Sequence, residues 1–347
     1  MINNNFLLIL ALINIFIFFN HKKLVKIILL KFDILDYPDT KLKNHSKPTP
    51  LFGGIWIYVN LIFFFIYFFM FRNNLEIYLF FDSYTNAIVL FLCFTAIFCI
   101  GLYDDVYNLN PNIKFFGFFF IIFCFLLLIP ELLIQNLEFT YKNLNLKVGL
   151  RNFSLLFTAI CVVALLNAIN MLDGIDGQTA LYSLFFLIIF QIFVYSNLSY
   201  FLLTLATFLI FFFFLNIRGK IFIGNSGSYL LGFIFSYLLL LGYKDGGISM
   251  NFIFMLVVLP ALEMIRVFFN RVVNGRNPFR GDRQHLHHLL LKKFTKFQSI
   301  IIFQVFFLSP FVLNYFGVYK THTLILSVVT YITLIVFLKR VNFLKFK

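Results

Sequence analysis

Eleven predominantly apolar runs, at 5–19, 51–71, 85–103, 115–130, 153–170, 180–196, 199–216, 228–243, 250–269, 299–317 and 322–338, constrain this chain more than any other feature. A helix needs about 20 apolar residues to cross a bilayer, with a working range of about 17–25. In hydrocarbon only helices and closed barrels leave no backbone group unsatisfied. Runs of this length predict an all-α polytopic membrane protein with about 10–11 transmembrane helices. Composition agrees, since 12% of the 347 residues are charged against about 25% in soluble domains. That excludes a soluble enzyme, a disordered chain and a disulfide-stapled secreted domain. Cys93, Cys99, Cys124 and Cys161 all fall inside apolar runs and read as small buried hydrophobes, neither ligands nor disulfides. With no long polar linker and no repeat, residues 1–347 read as a single integral-membrane domain.

The first run has no basic residue before it and no small-residue cleavage site after it, so it reads as an uncleaved anchor ended by His21, Lys22 and Lys23. Counting Lys and Arg on alternate sides, with the N-terminus outside and the C-terminus cytoplasmic, puts 22 on one face and six on the other. The positive-inside rule makes the richer face cytoplasmic. Its net charge is +13, against +1 outside. The charge therefore belongs to a membrane face, and nucleic acid drops out as a partner. Of the outer connections only 131–152 is long, and alternation over Leu137–Leu146 predicts a small hairpin there.

Ionisable residues beside a membrane are costly and therefore informative. Five polar clusters stand out, all on the cytoplasmic side of this threading. The first, Lys47-Pro48-Thr49-Pro50-Leu51-Phe52-Gly53-Gly54, reads as an extended lead-in whose glycines admit a helix or ligand close to the backbone. A simple turn with Lys47 at the headgroups is the plainer alternative. The second, Asp104-Asp105, closes the third run. Two carboxylates there meet the negative end of the helix dipole and each other, which a divalent cation would relieve; an ordinary acidic helix end is the alternative. The third is Asn167-Ala168-Ile169-Asn170-Met171-Leu172-Asp173-Gly174-Ile175-Asp176-Gly177. Its oxygen-bearing side chains step by three along a helix that two glycines then break, which suits hard cations and hydroxyl groups. An Asx-rich cap accounts for only part of it.

The fourth cluster, Gly224-Asn225-Ser226-Gly227-Ser228, opens the eighth run. It reads equally as an anion site at a helix N-terminus or as a plain N-cap by Ser226 or Ser228. The fifth runs from Arg276 to His288 and holds His285, His287 and His288. No Cys is near, and His285 with His288 offers a metal only two ligands on one face. Arg276, Arg280 and Arg283 around these histidines suit phosphate oxygens, whereas headgroup binding alone explains the arginines but not the histidines. Glu263 and Arg266, three residues apart, read as a structural pair.

These segments, in this order, resemble the polyprenyl-phosphate N-acetylhexosamine-1-phosphate transferase family, glycosyltransferase family 4, over about residues 45–290. The Asp-Asp pair, the Asn-x-x-Asn-x-x-Asp-Gly-x-Asp-Gly run and the His-x-His-His loop carry the likeness. It implies a ten- or eleven-helix enzyme of the bacterial inner (cytoplasmic) membrane, dependent on Mg2+ or Mn2+, with its site on the cytoplasmic face. The predicted reaction transfers a sugar-1-phosphate, GlcNAc-type by default, from a UDP-sugar to undecaprenyl phosphate and releases UMP. On this likeness Asp104 and Asp105 act at the reacting centre, and Asp104, Asn170 and Asn225 hold the metal. Lys47, Thr49, Asn167, Asp173, Asp176, Arg283, His285, His287 and His288 bind substrates. The lipid bilayer is a partner, and the likeness admits a homodimer.

Two departures are visible. Asn225 stands where the family's Gly-Asp-x-Gly-Ser motif has Asp, removing one negative charge, and Glu263 stands where relatives commonly show Asp. Three consecutive histidines would mark the phospho-MurNAc-pentapeptide translocase, which the His-Leu-His-His of this chain disfavours. A transporter would place such charges near mid-bilayer, and a non-catalytic scaffold has Asn225 in its favour.

Overall fold

The computed structural model describes residues 4–29, 32, 34–38, 47–71, 83–141, 144–194, 200–276 and 284–344. Eleven long helices follow the eleven apolar runs in order. They are α1 (Asn4–Leu29), α2 (Gly53–Met70), α3 (Tyr84–Tyr107), α4 (Pro111–Leu128), α5 (Ser154–Leu172), α6 (Gln178–Val194), α7 (Tyr200–Asn216), α8 (Gly224–Lys244), α9 (Met250–Val273), α11 (Lys296–Tyr315) and α12 (Lys320–Leu344), with a short α10 (Leu286–Leu291) before the last two. Among the described residues nine are long and apolar enough to cross a membrane; α6 and α7, at 17 residues each, are shorter. Strands β1 (Leu35–Asp36) and β2 (Thr49–Pro50) pair antiparallel, as do β3 (Asn136–Tyr141) and β4 (Leu144–Gly149). The second pair is the expected hairpin, longer by a residue or more at each end.

The bundle is built around α8, which is nearly all buried and packs chiefly on α3, α5 and α2. Close approach at its start is made possible by Gly54 and Gly101. A Cβ on Gly54 would lie 2.0 Å from Ser226 Oγ, and one on Gly101 would lie 2.5 Å from Ser226 Cα. Proline inside α9 and α11 removes a backbone donor, and each orphaned carbonyl finds a hydroxyl. Tyr182 Oη donates to Leu256 O, four residues before Pro260, at 2.9 Å, and Ser309 Oγ donates to Phe306 O, four before Pro310, at 3.0 Å. Helices α1 and α2 are joined by a buried polar knot in which Trp56 Nε1 donates to Asn14 Oδ1 and Asn14 Nδ2 to Asn60 Oδ1, both at 2.8 Å.

Three expectations change. Helix α1 does not stop at the basic triplet but continues to Leu29, since lysines are tolerated on a helix turn that has left hydrocarbon. Helix α8 starts at Gly224, not at residue 228, and neither Ser226 nor Ser228 is its cap residue. Cys99 and Cys161 are exposed rather than buried, although all four cysteines are free as expected. A lipid-facing position satisfies an apolar thiol as well as an interior one.

Candidate active site at the start of the eighth helix

Successive helices reverse direction, so the polar clusters meet at one end of the bundle. The hairpin marks the other, where Tyr243 Oη donates to Asn136 O at 2.6 Å and Thr140 N to Asn251 Oδ1 at 2.9 Å. At the polar end, the segment after Thr49 pairs with the residues leading into α8. Phe222 N donates to Pro50 O at 2.9 Å, Gly53 N to Phe222 O at 2.9 Å, and Gly54 N to Ile223 O at 2.8 Å. Thr49 is buried and turns its hydroxyl back to Lys47 O at 3.2 Å; Lys47 itself is exposed. The glycine pair thus admits a helix.

Gly224 takes φ +73°, a left-handed conformation that turns the chain into α8. The first free N–H groups of that helix meet Asp105 from α3. Asn225 N donates to Asp105 Oδ1 at 2.6 Å, and Ser226 N and Ser226 Oγ donate to Oδ2 at 3.0 and 2.6 Å. The anion expected at this N-terminus is therefore a carboxylate of the chain itself, and α8 is capped from another helix. Its neighbour Asp104 is equally buried and differently held, accepting from Leu109 N at 2.8 Å and pairing with Lys114 Nζ at 2.9 Å. The strain expected of two carboxylates at a helix C-terminus is relieved by Lys114 and by the positive end of α8.

The end of α5 completes this wall. Asn170 accepts from Ser228 Oγ at 2.7 Å and donates to Tyr229 Oη at 3.2 Å. Asn167 instead donates to Val163 O on its own helix at 2.8 Å and does not join the others. Asp173 ends α5 and accepts from Thr179 Oγ1 at 2.9 Å. Desolvation, opposed by that bond and reinforced by Asp176, Asp105 and Asp36, pushes its carboxyl up to about 7. Asp176 pairs with Lys296 Nζ at 2.6 Å, and the same ammonium donates to Ile217 O.

The histidine loop docks on this turn at Gly174, where a Cβ would fall 2.2 Å from the His287 ring. The His285 and His287 rings stack at 5.4 Å, and His287 lies 4.1 Å from His288. Burial, then the neighbouring His288 and His285, hold His287 well below the ordinary imidazole range. That favours a ring that meets a partner through a hydrogen bond more than through charge. Glu263 anchors the loop: it accepts from Leu286 N at 2.8 Å, Arg266 Nη2 at 2.7 Å and Tyr331 Oη at 2.5 Å, while Arg266 also donates to Gln284 O at 2.6 Å. The pair read as structural has that geometry. Arg280 and Arg283 lie outside the described residues.

Lys114, Tyr229, Lys296 and Tyr331 are site neighbours that sequence reasoning missed. Ser226 and Ser228 stand inside a motif that reads equally as an anion site or as an N-cap, and what they bond is Asp105 and Asn170. Lys114 follows the Asp pair by ten and nine residues, a spacing that a three-residue turn between α3 and α4 brings together. Lys296 and Tyr331 carry no local signal. Among the described residues no three or more His, Cys, Asp or Glu side chains form a group able to hold a metal.

The sequence model of the family described as glycosyl transferase family 4 matches residues 87–243. The chain is similar to the undecaprenyl-phosphate alpha-N-acetylglucosaminyl 1-phosphate transferase of Salmonella typhi, with 28% identity over 313 residues, covering 83% of this chain and 76% of that one. The protein of the same name from Escherichia coli K12 is 26% identical over 317 residues, with the same coverage. That from Thermotoga maritima is 27% identical over 273 residues, covering 78% of both.

Proposed function

We propose that this chain, a member of glycosyl transferase family 4, transfers a sugar-1-phosphate from a UDP-sugar to undecaprenyl phosphate, with UDP-GlcNAc as the default donor. The observation that carries the reading is the convergence of the polar clusters on the start of α8, at one end of an otherwise apolar bundle. The names of the similar proteins supply the acceptor. The excess of Lys and Arg at the same end supports a cytoplasmic site in the inner membrane, with the N-terminus outside.

One oxygen of the lipid phosphate attacks the sugar-bearing β-phosphorus. A new P–O bond forms there, the bond to the bridging oxygen breaks, and UMP leaves with that oxygen. Such transfers ask the protein mainly for positioning and charge stabilisation. A phosphate oxygen is already anionic near neutral pH, so a strong base is not required. The donors near the α8 start are oxygens from Asp104, Asn170 and Asn225, a set suited to a hard cation such as Mg2+. Bound there, it would supply Lewis-acid stabilisation of the pyrophosphate charge. Asp105 fixes the α8 start on which Asn225 stands. Asp173 and Asp176 line the broken end of α5 as acceptors for nucleotide hydroxyls. His287 offers a ring N–H, and the loop that carries it is held by Glu263, Arg266 and Tyr331.

The test incubates membranes holding the protein with undecaprenyl phosphate and a panel of labelled UDP-sugars, with and without Mg2+. A lipid-linked product that forms from one sugar and needs Mg2+ is the expected result. No product from any sugar would overturn the reading.

A further inference from the structure

A second feature lies on the far side of the Pro50–Phe222 pairing. The last turns of α1 stand over the Thr49–Leu51 and Lys220–Ile221 segments and enclose a cavity of about 480 Å³. Its floor is apolar, made by Val25, Pro50 and Ile221, and its rim is basic, with Lys22 and Lys26 from α1 and Lys220 from the turn after α7. His21 completes the wall with Nδ1 bonded to Phe18 O at 2.7 Å. Among the described residues no carboxylate lines the cavity. Among the described residues the three ammonium groups have no hydrogen bond or ion pair.

Three like charges around one cavity repel each other, so there is a demand there for negative charge that no described residue meets. Depth in the membrane narrows what can meet it. The preceding turns of α1 expose Leu8, Leu12, Ile15, Phe16 and Phe19, an apolar surface suited to lipid chains. Lys22 and Lys26 come in the turns just beyond it, at the level of lipid headgroups. A ligand there must join an anionic head to an apolar body. A small free anion would leave Val25, Pro50 and Ile221 uncovered.

We propose that this cavity is a binding site for an anionic glycerophospholipid, its phosphate held by Lys22, Lys26 and Lys220 and its glycerol and upper chain carbons covering the apolar floor. The bound lipid joins α1 to the turn after α7. Because Pro50 O accepts from Phe222 N one residue past that floor, it also braces the strand that leads to Gly224.

The test uses the purified full-length protein in nanodiscs, with retained lipid counted by native mass spectrometry after release. Phosphatidylglycerol should be retained at least fivefold over phosphatidylcholine. Combined Lys22→Gln, Lys26→Gln and Lys220→Gln should bring the ratio below twofold, while Lys23→Gln, next to the site but not lining it, should leave it unchanged. Lys220→Gln alone, the mildest change, should lower retention by about half if the triple variant fails to fold. An unchanged ratio in the lysine variants overturns the proposal. Displacement of phosphatidylglycerol by equimolar undecaprenyl phosphate overturns the choice of ligand and makes the cavity a place for the acceptor. Both readouts are binding measurements, independent of whether any sugar is transferred.

Discussion

Replacing Asp105 by Asn separates a structural role from a chemical one at nearly constant shape. In the native protein both carboxylate oxygens accept, one from Asn225 N and the other from Ser226 N and Ser226 Oγ. A carboxamide has one acceptor oxygen, so its NH2 must face one of the two backbone N–H groups. A buried donor left unpaired costs about 1–3 kcal/mol, and removing a negative charge from a helix N-terminus costs about 0.3–2 kcal/mol more. Asp105→Asn should therefore lose about 2–4 kcal/mol in reversible unfolding from mixed micelles. Activity should fall about 100-fold or more, because a shift of about 1 Å at the α8 start moves Asn225 and Ser228 together. A double-mutant cycle with Ser226→Ala should give a coupling of at least about 0.5 kcal/mol, since the two side chains share a hydrogen bond. If Asp105→Asn is as stable as the parent while product vanishes, or if the cycle is additive, the capping account is wrong and Asp105 acts on substrate alone.

Gly174→Ala should destabilise by about 1–3 kcal/mol through the clash with His287 and lower activity; adding His287→Ala should recover the stability, and no recovery in a melting series would refute the contact. Tyr331→Phe removes a donor from buried Glu263, so kcat/KM should drop several-fold and the drop should vanish in a Glu263→Gln background; equal drops in both backgrounds would deny Tyr331 a place in holding the histidine loop. The Asp173 carboxyl, raised to about 7 in the fold against about 3.9 unfolded, keeps its proton while the unfolded chain loses one. Stability should therefore decline as pH rises from about 4 to 7 and level off above, and Asp173→Asn should flatten that stretch of a pH–stability curve. If Asn225 weakens the metal site, Asn225→Asp should lower the Mg2+ concentration for half-maximal activity, and an unchanged requirement counts against that role.

The helices were legible because burial against lipid asks for long apolar runs and nothing subtler. The ends were less so. Helix α1 overran its lysines because charge stops a span without stopping a helix, and α8 began four residues early because its cap comes from Asp105, 121 residues before Ser226. Motif spacing identified the segments that meet at the site. It could not give their pairings, which depend on how α3, α5 and α8 are stacked. Lys296 and Tyr331 lie past residue 290, where no motif calls attention to them, yet they hold Asp176 and Glu263. Cys99 and Cys161 show the converse limit: an apolar run says that a residue avoids water, not whether it faces protein or lipid.

Asp104 and Asp105 look alike in sequence but are held by different kinds of donor, and that difference divides their work. Among the described residues every hydrogen-bond donor to Asp105 belongs to the α8 start, two of the three being backbone N–H groups that cannot leave without unwinding the helix. Asp104 holds a backbone bond too, but its other oxygen meets a lysine side chain on a flexible stem, only partly buried. A hard cation competing for a carboxylate displaces an ammonium far more readily than a helix terminus. On the proposed function, Asp104 would be the carboxylate able to exchange its lysine for a cation, while Asp105 keeps the α8 start still. The missing charge at Asn225 sharpens this division, because it leaves Asp104 as the one carboxylate among the three residues proposed to hold the cation.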